Sequence, residues 1–186
     1  MNITIVGPRS VGKSTISKML SAKLKYKYLE SDNLMHIEMK EYGGLDKAIK
    51  SGKTESIMKK GPAIVEKALV KNKIVFDLAG GAISSRTGTE MGVCQKVIKT
   101  ISKESYVVGL LPYENDDESI KLLCQREKKR EHFSEMDSGE LNAKVEKDYL
   151  KLKPILKKVS NLVVYVEKKN PESIVDEIFQ QVQQQL

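Results

Sequence analysis

The chain has 186 residues, of which 40% are hydrophobic and 31% charged, and its 32 Lys and Arg against 25 Asp and Glu give a net charge of +7. This length suits one domain, residues 1–186, and the composition excludes a disordered or membrane-embedded chain. Apolar runs stay below the ~20 residues of a membrane span, and the first residues do not resemble a signal peptide, so we expect a cytoplasmic protein without a membrane partner. The two cysteines, Cys94 and Cys124, are too few for a disulfide framework or a four-cysteine zinc site.

Short β-branched runs alternate with stretches that carry apolar residues at helical spacing. Strands are predicted at 3–6, 26–29, 74–76, 106–111 and 162–166, the second of them from a weaker signal. Helices are predicted at 13–25, 63–71, 89–102, 118–130 and 140–159 and from 170–172 onward, with Pro62 as the first residue of the second helix. Apolar strands need helices on both faces, so the sequence predicts a three-layer α/β/α fold around a five-stranded, mainly parallel sheet.

A glycine-rich loop follows the first predicted strand and leads into the first helix. It fits the pattern G-x-x-x-x-G-K-[ST] at every fixed position with Gly7, Pro8, Arg9, Ser10, Val11, Gly12, Lys13 and Ser14. A chain of this length matches that pattern by chance about 1% of the time, given average residue usage. Backbone N–H groups in such a loop bind phosphate oxygens, Lys13 bridges the β- and γ-phosphates, and Ser14 offers its hydroxyl to Mg²⁺. The loop, with Thr15 after it, therefore predicts a nucleotide phosphate site.

Asp77 ends the third predicted strand, where a buried carboxylate is costly without a partner. A magnesium ion bound through water, together with Ser14, is such a partner. Gly80 and Gly81 follow and leave room for a substrate against the backbone. The alternative is a tight turn whose glycines are needed for positive φ angles.

Asp32 lies at the end of the weak second strand, at the sheet edge where ligands of open α/β folds bind. A carboxylate there can accept the proton of an attacking hydroxyl or hold that hydroxyl in line with the γ-phosphate. The alternative is that Asp32 is only the N-cap of a helix that begins at Asn33.

Arg126 and Arg130 are four residues apart, so they share a helix face if their segment is helical. An arginine over the transferring phosphoryl group would neutralise charge in the transition state. The alternative is a solvated face, because residues 126–131 are dense in charge. A dense basic tail is lacking elsewhere, so we expect no nucleic-acid partner.

Taken together, these segments resemble the shikimate kinase family of nucleoside-monophosphate-kinase-like P-loop proteins, and the resemblance spans nearly the full length. Beyond the loop at 7–14, the matching segments are 30–32 for the family's D-x-D, 77–82 for its third strand and glycine triplet, Arg130 for its lid arginine, and Lys169 for a basic residue near the adenine. The resemblance implies a P-loop NTPase fold with a lid at about 126–140, ATP and Mg²⁺ as cofactors, and an acceptor-binding segment at about 33–61.

The resemblance also implies a role for each candidate residue. The catalytic residues would be Lys13, Asp32 and Arg130. Residues 7–15, Arg126 and Lys169 would bind the nucleotide, and Ser14, Asp77 and Glu30 would hold Mg²⁺. The acceptor would be bound by Asp32, Lys59, Gly80, Gly81 and Lys153. The last group includes lysines because the family's two substrate arginines are not matched. Residues 56–62 contain no arginine, and Leu152 aligns with the second arginine. Lysine does not make the bidentate contact with a carboxylate that arginine makes.

The function expected is therefore ATP-dependent phosphorylation of a hydroxyl on a small metabolite, by a monomer or small homo-oligomer. One alternative is a nucleoside or nucleotide kinase, although Tyr42 is the only aromatic residue at 33–61 that could stack on a base. Another is an ATP-binding regulatory protein without metabolite kinase activity.

Overall fold

A computed structural model describes residues 1–84, 91–129 and 137–185. In this part of the chain, five strands form one parallel sheet in the order β2-β3-β1-β4-β5. They are β1 (Asn2–Val6), β2 (Lys27–Glu30), β3 (Ile74–Asp77), β4 (Ser105–Leu111) and β5 (Leu162–Tyr165). The parallel five-stranded sheet is confirmed, including the weakly signalled strand β2.

Helices cover the sheet. They are α1 (Lys13–Leu24), α2 (Ser31–Glu38), α3 (Leu45–Lys50), α4 (Thr54–Leu69), α5 (Met91–Glu104), α6 (Asp116–Glu127), α7 (Ser138–Val159) and α8 (Pro171–Gln183), with 3-10 turns at Lys40–Tyr42 and Gly80–Ala82. Helix α1 packs on α8 and α4 packs on α5, and these pairs flank the strands in the predicted three-layer arrangement. Among the described helices, none combines the length and apolarity that a membrane crossing requires.

The centre of the sheet is covered on both faces, because β1 is buried along its whole length. Ile3, Ile5, Phe76 and Val108 have no exposed surface. The register pairs Ile5 with Asp77 on one side and Asp77 with Glu30 on the other. The carboxyl ends of β1, β2 and β3 therefore meet at one edge, and each leads into a segment that carries a predicted functional residue.

The prediction that Pro62 begins a helix is wrong, because the residue lies inside one. Helix α4 begins at Thr54 and continues through Pro62 to Leu69. The missing N–H of an interior proline costs ~3 kcal/mol, so other contacts must support the helix on both sides of it. After Pro62, the face formed by Ile64, Val65, Ala68 and Leu69 is buried in the core. Before it, Lys60 Nζ donates to the Glu38 carbonyl at 2.6 Å and ties α4 to the end of α2.

Candidate active site

The loop between β1 and α1 is a concave turn. Ser10 has φ +62° and Gly12 has φ +111°, both in the left-handed region, and alternation of this kind points successive N–H groups inward. Helix α1 has no side-chain cap and no acidic residue in its first turn, so its positive end is open to an anion. A cleft of about 280 Å³ lies here, lined by Ser10, Gly12, Lys13, Ser14, Thr15 and Arg126. Its walls are N–H groups, hydroxyls and cations, which suits phosphate.

Lys13 is the cation at the centre of this cleft. Its Nζ donates to the Pro8 carbonyl at 3.3 Å, so the side chain folds back over the loop that precedes it. The charge of its ammonium opposes the rise that burial causes in the pKa of Asp32, at the start of α2.

The floor of the loop is packed backbone to backbone. A Cβ on Gly7 would lie 2.7 Å from the Leu110 carbonyl oxygen, and a Cβ on Gly80 would lie 2.7 Å from the Gly7 carbonyl oxygen. Gly80 and Gly81 both lack a positive φ, so the alternative that these two glycines serve a left-handed turn is wrong. Gly80 is needed for space, whereas a Cβ on Gly81 would meet nothing within 4 Å.

Ser14 and Asp77 form an oxygen pair beside the cleft. Ser14 Oγ donates to Asp77 Oδ2 at 2.6 Å, and Asp77 is 4% exposed. The Tyr28 hydroxyl lies 3.5 Å from the same carboxylate oxygen. Burial raises the pKa of Tyr28, and the charges of Asp77 and Glu30 raise it further, so the phenol stays protonated and can donate.

Asp32 lies in the first turn of α2, whose N-cap residue is Glu30, so the alternative that Asp32 is an N-cap is wrong. Its carboxylate is crowded by other charges. Burial raises the pKa of Asp32, Glu30 and Asp77 raise it as well, and Lys13 and Arg9 lower it. Asp32 is therefore an exposed residue whose carboxylate holds its proton more tightly than an ordinary aspartate and is coupled electrostatically to the phosphate loop.

The residues at this edge fit a magnesium ion. Glu30, Asp32 and Asp77 repel one another, and a divalent cation beside Ser14 would relieve that repulsion. In the described ranges no three His, Cys, Asp or Glu side chains are close enough to hold a metal unaided. Mg²⁺ keeps several waters and commonly binds through one or two carboxylates and substrate phosphates, so Ser14 and Asp77 are sufficient protein partners. Glu30, the third residue predicted for the metal, has one carboxylate oxygen engaged, because its Oε2 accepts a hydrogen bond from Asn33 Nδ2 at 2.9 Å.

The predicted lysines outside the phosphate loop, Lys59, Lys153 and Lys169, all have carboxylate partners. Lys59 pairs with Glu55 at 2.7 Å on the exposed side of α4. Lys169 pairs with Glu177 at 2.7 Å. Their roles at the acceptor and at the adenine stay predictions.

Lys153 is more constrained. Its Nζ pairs with Asp116 at the start of α6 and donates to the Glu114 carbonyl at 3.3 Å. The Tyr149 hydroxyl donates to the same carboxylate at 3.0 Å, so the network joins α7 to α6. A role for Lys153 in binding the acceptor stays a prediction and requires this network to open.

Leu152, at the position aligned with a family arginine, is 5% exposed. Its Cδ2 would be 3.1 Å from a Cβ on Gly80, so the leucine packs on the glycine segment. An apolar side chain therefore lies against the backbone where the resemblance implies a guanidinium.

The end of α6 contacts the phosphate loop. Arg126 Nη1 donates to the carbonyls of Ser10 and Val11, both at 3.1 Å. Glu127, which is 3% exposed, accepts a short hydrogen bond from Ser10 Oγ and pairs with Arg9 Nε at 3.5 Å. Arg126 is exposed, as the alternative of a solvated face expects, and it also contacts the loop. Arg130 and residues 131–136 of the predicted lid lie outside the described residues.

Sequence reasoning missed three residues of this site, namely Tyr28, Ser31 and Glu127. Ser31 Oγ accepts from the Ala79 N–H at 2.9 Å and joins the start of α2 to the chain after β3. Its place between Glu30 and Asp32 was a signal that could have identified it. Glu127 gave no such signal, because a buried glutamate within a charge-dense stretch looks like a solvated one.

Comparisons with known proteins agree with this geometry. The shikimate kinase family model matches residues 9–183. A shikimate kinase of Vibrio vulnificus is 24% identical over 183 residues, which is 98% of this chain and 96% of the relative. The structure of shikimate kinase from Acinetobacter baumannii in complex with shikimate has a TM-score of 0.77 at 18% identity, over 99% of this chain and 93% of that one. Deoxyadenosine kinase from M. mycoides with bound dATP shares the fold at a TM-score of 0.61 and 18% identity, over 98% and 100%. The chain therefore belongs to the shikimate kinase family of ATP-dependent small-molecule kinases.

Proposed function

We propose that this chain, as a single cytoplasmic kinase domain, transfers the γ-phosphoryl group of ATP to a hydroxyl of a small metabolite with Mg²⁺ as its metal. The observation that carries the proposal is the hydrogen bond of 2.6 Å from the Ser14 hydroxyl to the buried carboxylate of Asp77, beside a cleft that Lys13 lines. Burial, Glu30 and Asp77 raise the pKa of Asp32, and Lys13 lowers it. The candidate phosphate-binding residues and the acidic residues therefore lie at the same edge of the sheet.

The loop residues 7–15 would bind the triphosphate. Their inward N–H groups and the ammonium of Lys13 supply positive charge that needs no rearrangement when negative charge develops. Arg126 lines the same cleft and would add a further positive charge. Mg²⁺, held through Ser14 and Asp77, supplies Lewis-acid neutralisation of phosphate charge. Glu30 would orient its waters, and Lys169 would lie near the adenine.

Asp32 would accept the proton of the attacking hydroxyl. Burial raises the pKa of Asp32, which would make its carboxylate a stronger base than that of an ordinary aspartate. The adjacent Gly81 leaves open space in which an acceptor can approach the backbone. Arg130 would close over the phosphoryl group and help to exclude water, the competing acceptor.

Shikimate is the first acceptor to test, because the relatives named above are shikimate kinases. Two features motivate a wider panel, namely the apolar contact of Leu152 with Gly80 and the lack of arginine at 56–62. Charge for a carboxylate acceptor could come from Lys59, Lys60 or Lys151, or from Lys153 after it leaves Asp116.

The test is an ATP-consumption assay with shikimate, sugar acids, nucleosides and nucleoside monophosphates as acceptors. We expect stimulation by one hydroxylated metabolite, and a fall in kcat of ~10²-fold or more for both Lys13→Ala and Asp32→Asn, from the lost electrostatic and acid–base contributions. Asp117→Asn, the same change at an exposed position of α6, is the matched control and keeps full turnover. Stimulation by nucleosides alone would identify the alternative nucleoside kinase. Tight ATP binding without stimulated turnover by any acceptor would identify an ATP-binding regulatory protein instead.

A further inference from the structure

Ser10 adopts a backbone conformation that serine disfavours. Its φ of +62° lies in the left-handed region, which glycine and asparagine adopt far more readily. A non-glycine residue stays there only when its surroundings hold it. The turn at Ser10 directs the following N–H groups into the cleft, so whatever holds Ser10 also holds the phosphate cradle.

Two consecutive residues at the end of α6 hold Ser10 by separate groups. Arg126 donates to the Ser10 carbonyl at 3.1 Å. Glu127 accepts the hydrogen bond of the Ser10 hydroxyl. Backbone and side chain of the same residue are therefore fixed from one helix end, more than a hundred residues away in the chain.

Glu127 differs from Arg126 in its relation to the cleft. Arg126 lines the cleft, whereas Glu127 does not and is 3% exposed. Its negative charge would repel a phosphate at close range, but Arg9 Nε pairs with its second oxygen at 3.5 Å. Glu127 therefore binds Ser10 and is paired with Arg9, so its carboxylate acts on the loop and not on the ligand.

We propose that Glu127 is a positioning residue for nucleotide binding, which keeps Ser10 in its left-handed turn and thereby aims the N–H groups of the loop at the phosphates. The inference rests on the proposed function for its ligand, Mg·ATP. It predicts that loss of Glu127 weakens binding of the nucleotide and leaves the KM of the acceptor at saturating ATP unchanged, since Glu127 lies outside the cleft.

The test measures the Kd of Mg·ATP by calorimetry, with the melting temperature of each variant. Glu127→Ala is expected to raise the Kd by about 5- to 150-fold, the range set by the strain that the turn would otherwise release. In Glu127→Gln the amide oxygen still accepts from the Ser10 hydroxyl, but the charge that pairs with Arg9 is lost. The Kd of this variant therefore rises less than that of Glu127→Ala. Glu118→Ala, the same change at an exposed position of α6, is the matched control and leaves the Kd unchanged.

A double variant separates positioning from simple support of α6. Ser10→Gly combined with Glu127→Ala recovers part of the lost affinity, because glycine adopts φ +62° without steric cost. The inference is overturned if Glu127→Ala binds Mg·ATP within twofold of the unaltered protein, or if the double variant recovers nothing. If Glu127→Ala does not fold, Ser10→Ala decides, because it removes the hydroxyl that Glu127 binds, and a Kd within twofold of the unaltered protein overturns the inference. Failure of every acceptor to stimulate turnover would refute the kinase function but leave this binding result standing.

Discussion

Gly80→Ala is the sharpest test of how the phosphate loop is supported. The backbone of Gly80 is acceptable for alanine, so the effect of the change is steric. The new Cβ would lie 2.7 Å from the Gly7 carbonyl oxygen and 3.1 Å from Leu152 Cδ2. The leucine can rotate, but the carbonyl belongs to the loop floor and cannot move alone. Overpacking of this kind costs about 1–3 kcal/mol, against a gain of about 0.4–1 kcal/mol from the stiffer unfolded chain.

The net loss of about 1–2 kcal/mol corresponds to a fall in melting temperature of ~2–8 °C for a chain of this size. Scanning calorimetry measures it, and a titration with Mg·ATP follows because displacement of the Gly7 carbonyl also weakens nucleotide binding. Gly81→Ala is the matched control, since its Cβ meets nothing within 4 Å and only the favourable entropy remains. Equal stability of the two variants would refute the proposed packing of Gly80 on the loop.

Three more outcomes depend on individual charges. Burial raises the pKa of Asp32, so we expect kcat/KM to fall on acidification at a pH above 3.8, the ordinary pKa of an aspartate. A pH profile of kcat/KM that stays flat down to pH 3.8 would contradict this role of Asp32. Asp77→Asn raises the Mg²⁺ concentration needed for half-maximal turnover by about 10- to 100-fold in a metal titration, and an unchanged requirement would exclude Asp77 from the metal site. The hydrogen bond from Lys153 lowers the pKa of Asp116. That carboxylate therefore contributes stability above its ordinary pKa and loses it as the pH falls through the lower, folded value. Lys153→Met reduces the melting temperature at neutral pH, and the difference shrinks on acidification; a constant difference would show that packing alone is involved.

The sheet and the phosphate loop could be predicted because their signals are local. The five predicted runs became five parallel strands, and the motif at 7–14 follows β1 and runs into the start of α1, as its pattern requires. The pairing of Ser14 with Asp77 also follows from the sequence, since both residues follow or end neighbouring parallel strands. Local residue types and the geometry of a parallel sheet are sufficient for these features.

Features that depend on tertiary contacts were not predictable. Pro62 looks like the start of a helix because the sequence does not show that burial supports α4 on both sides of it. The N-cap alternative for Asp32 is wrong for a local reason, since α2 begins at Ser31 and its N-cap is Glu30. Glu127 looks solvated, and only its contact with Ser10, 117 residues distant, shows otherwise. The environments of Pro62 and Glu127 are set by distant parts of the chain, which local residue patterns do not report.

The strand order has a consequence for how the chain folds as it is synthesised. Ile3 of β1 is flanked by Val75 on one side and Tyr106 on the other, so the strand has no neighbour until β3 has left the ribosome and only one until β4 follows. At about 5–20 residues per second, the nascent chain carries this segment unpaired for several seconds. Long-range parallel pairing is also slow to nucleate. The cleft at the phosphate loop is complete later still, because Arg126 of α6 forms part of its lining.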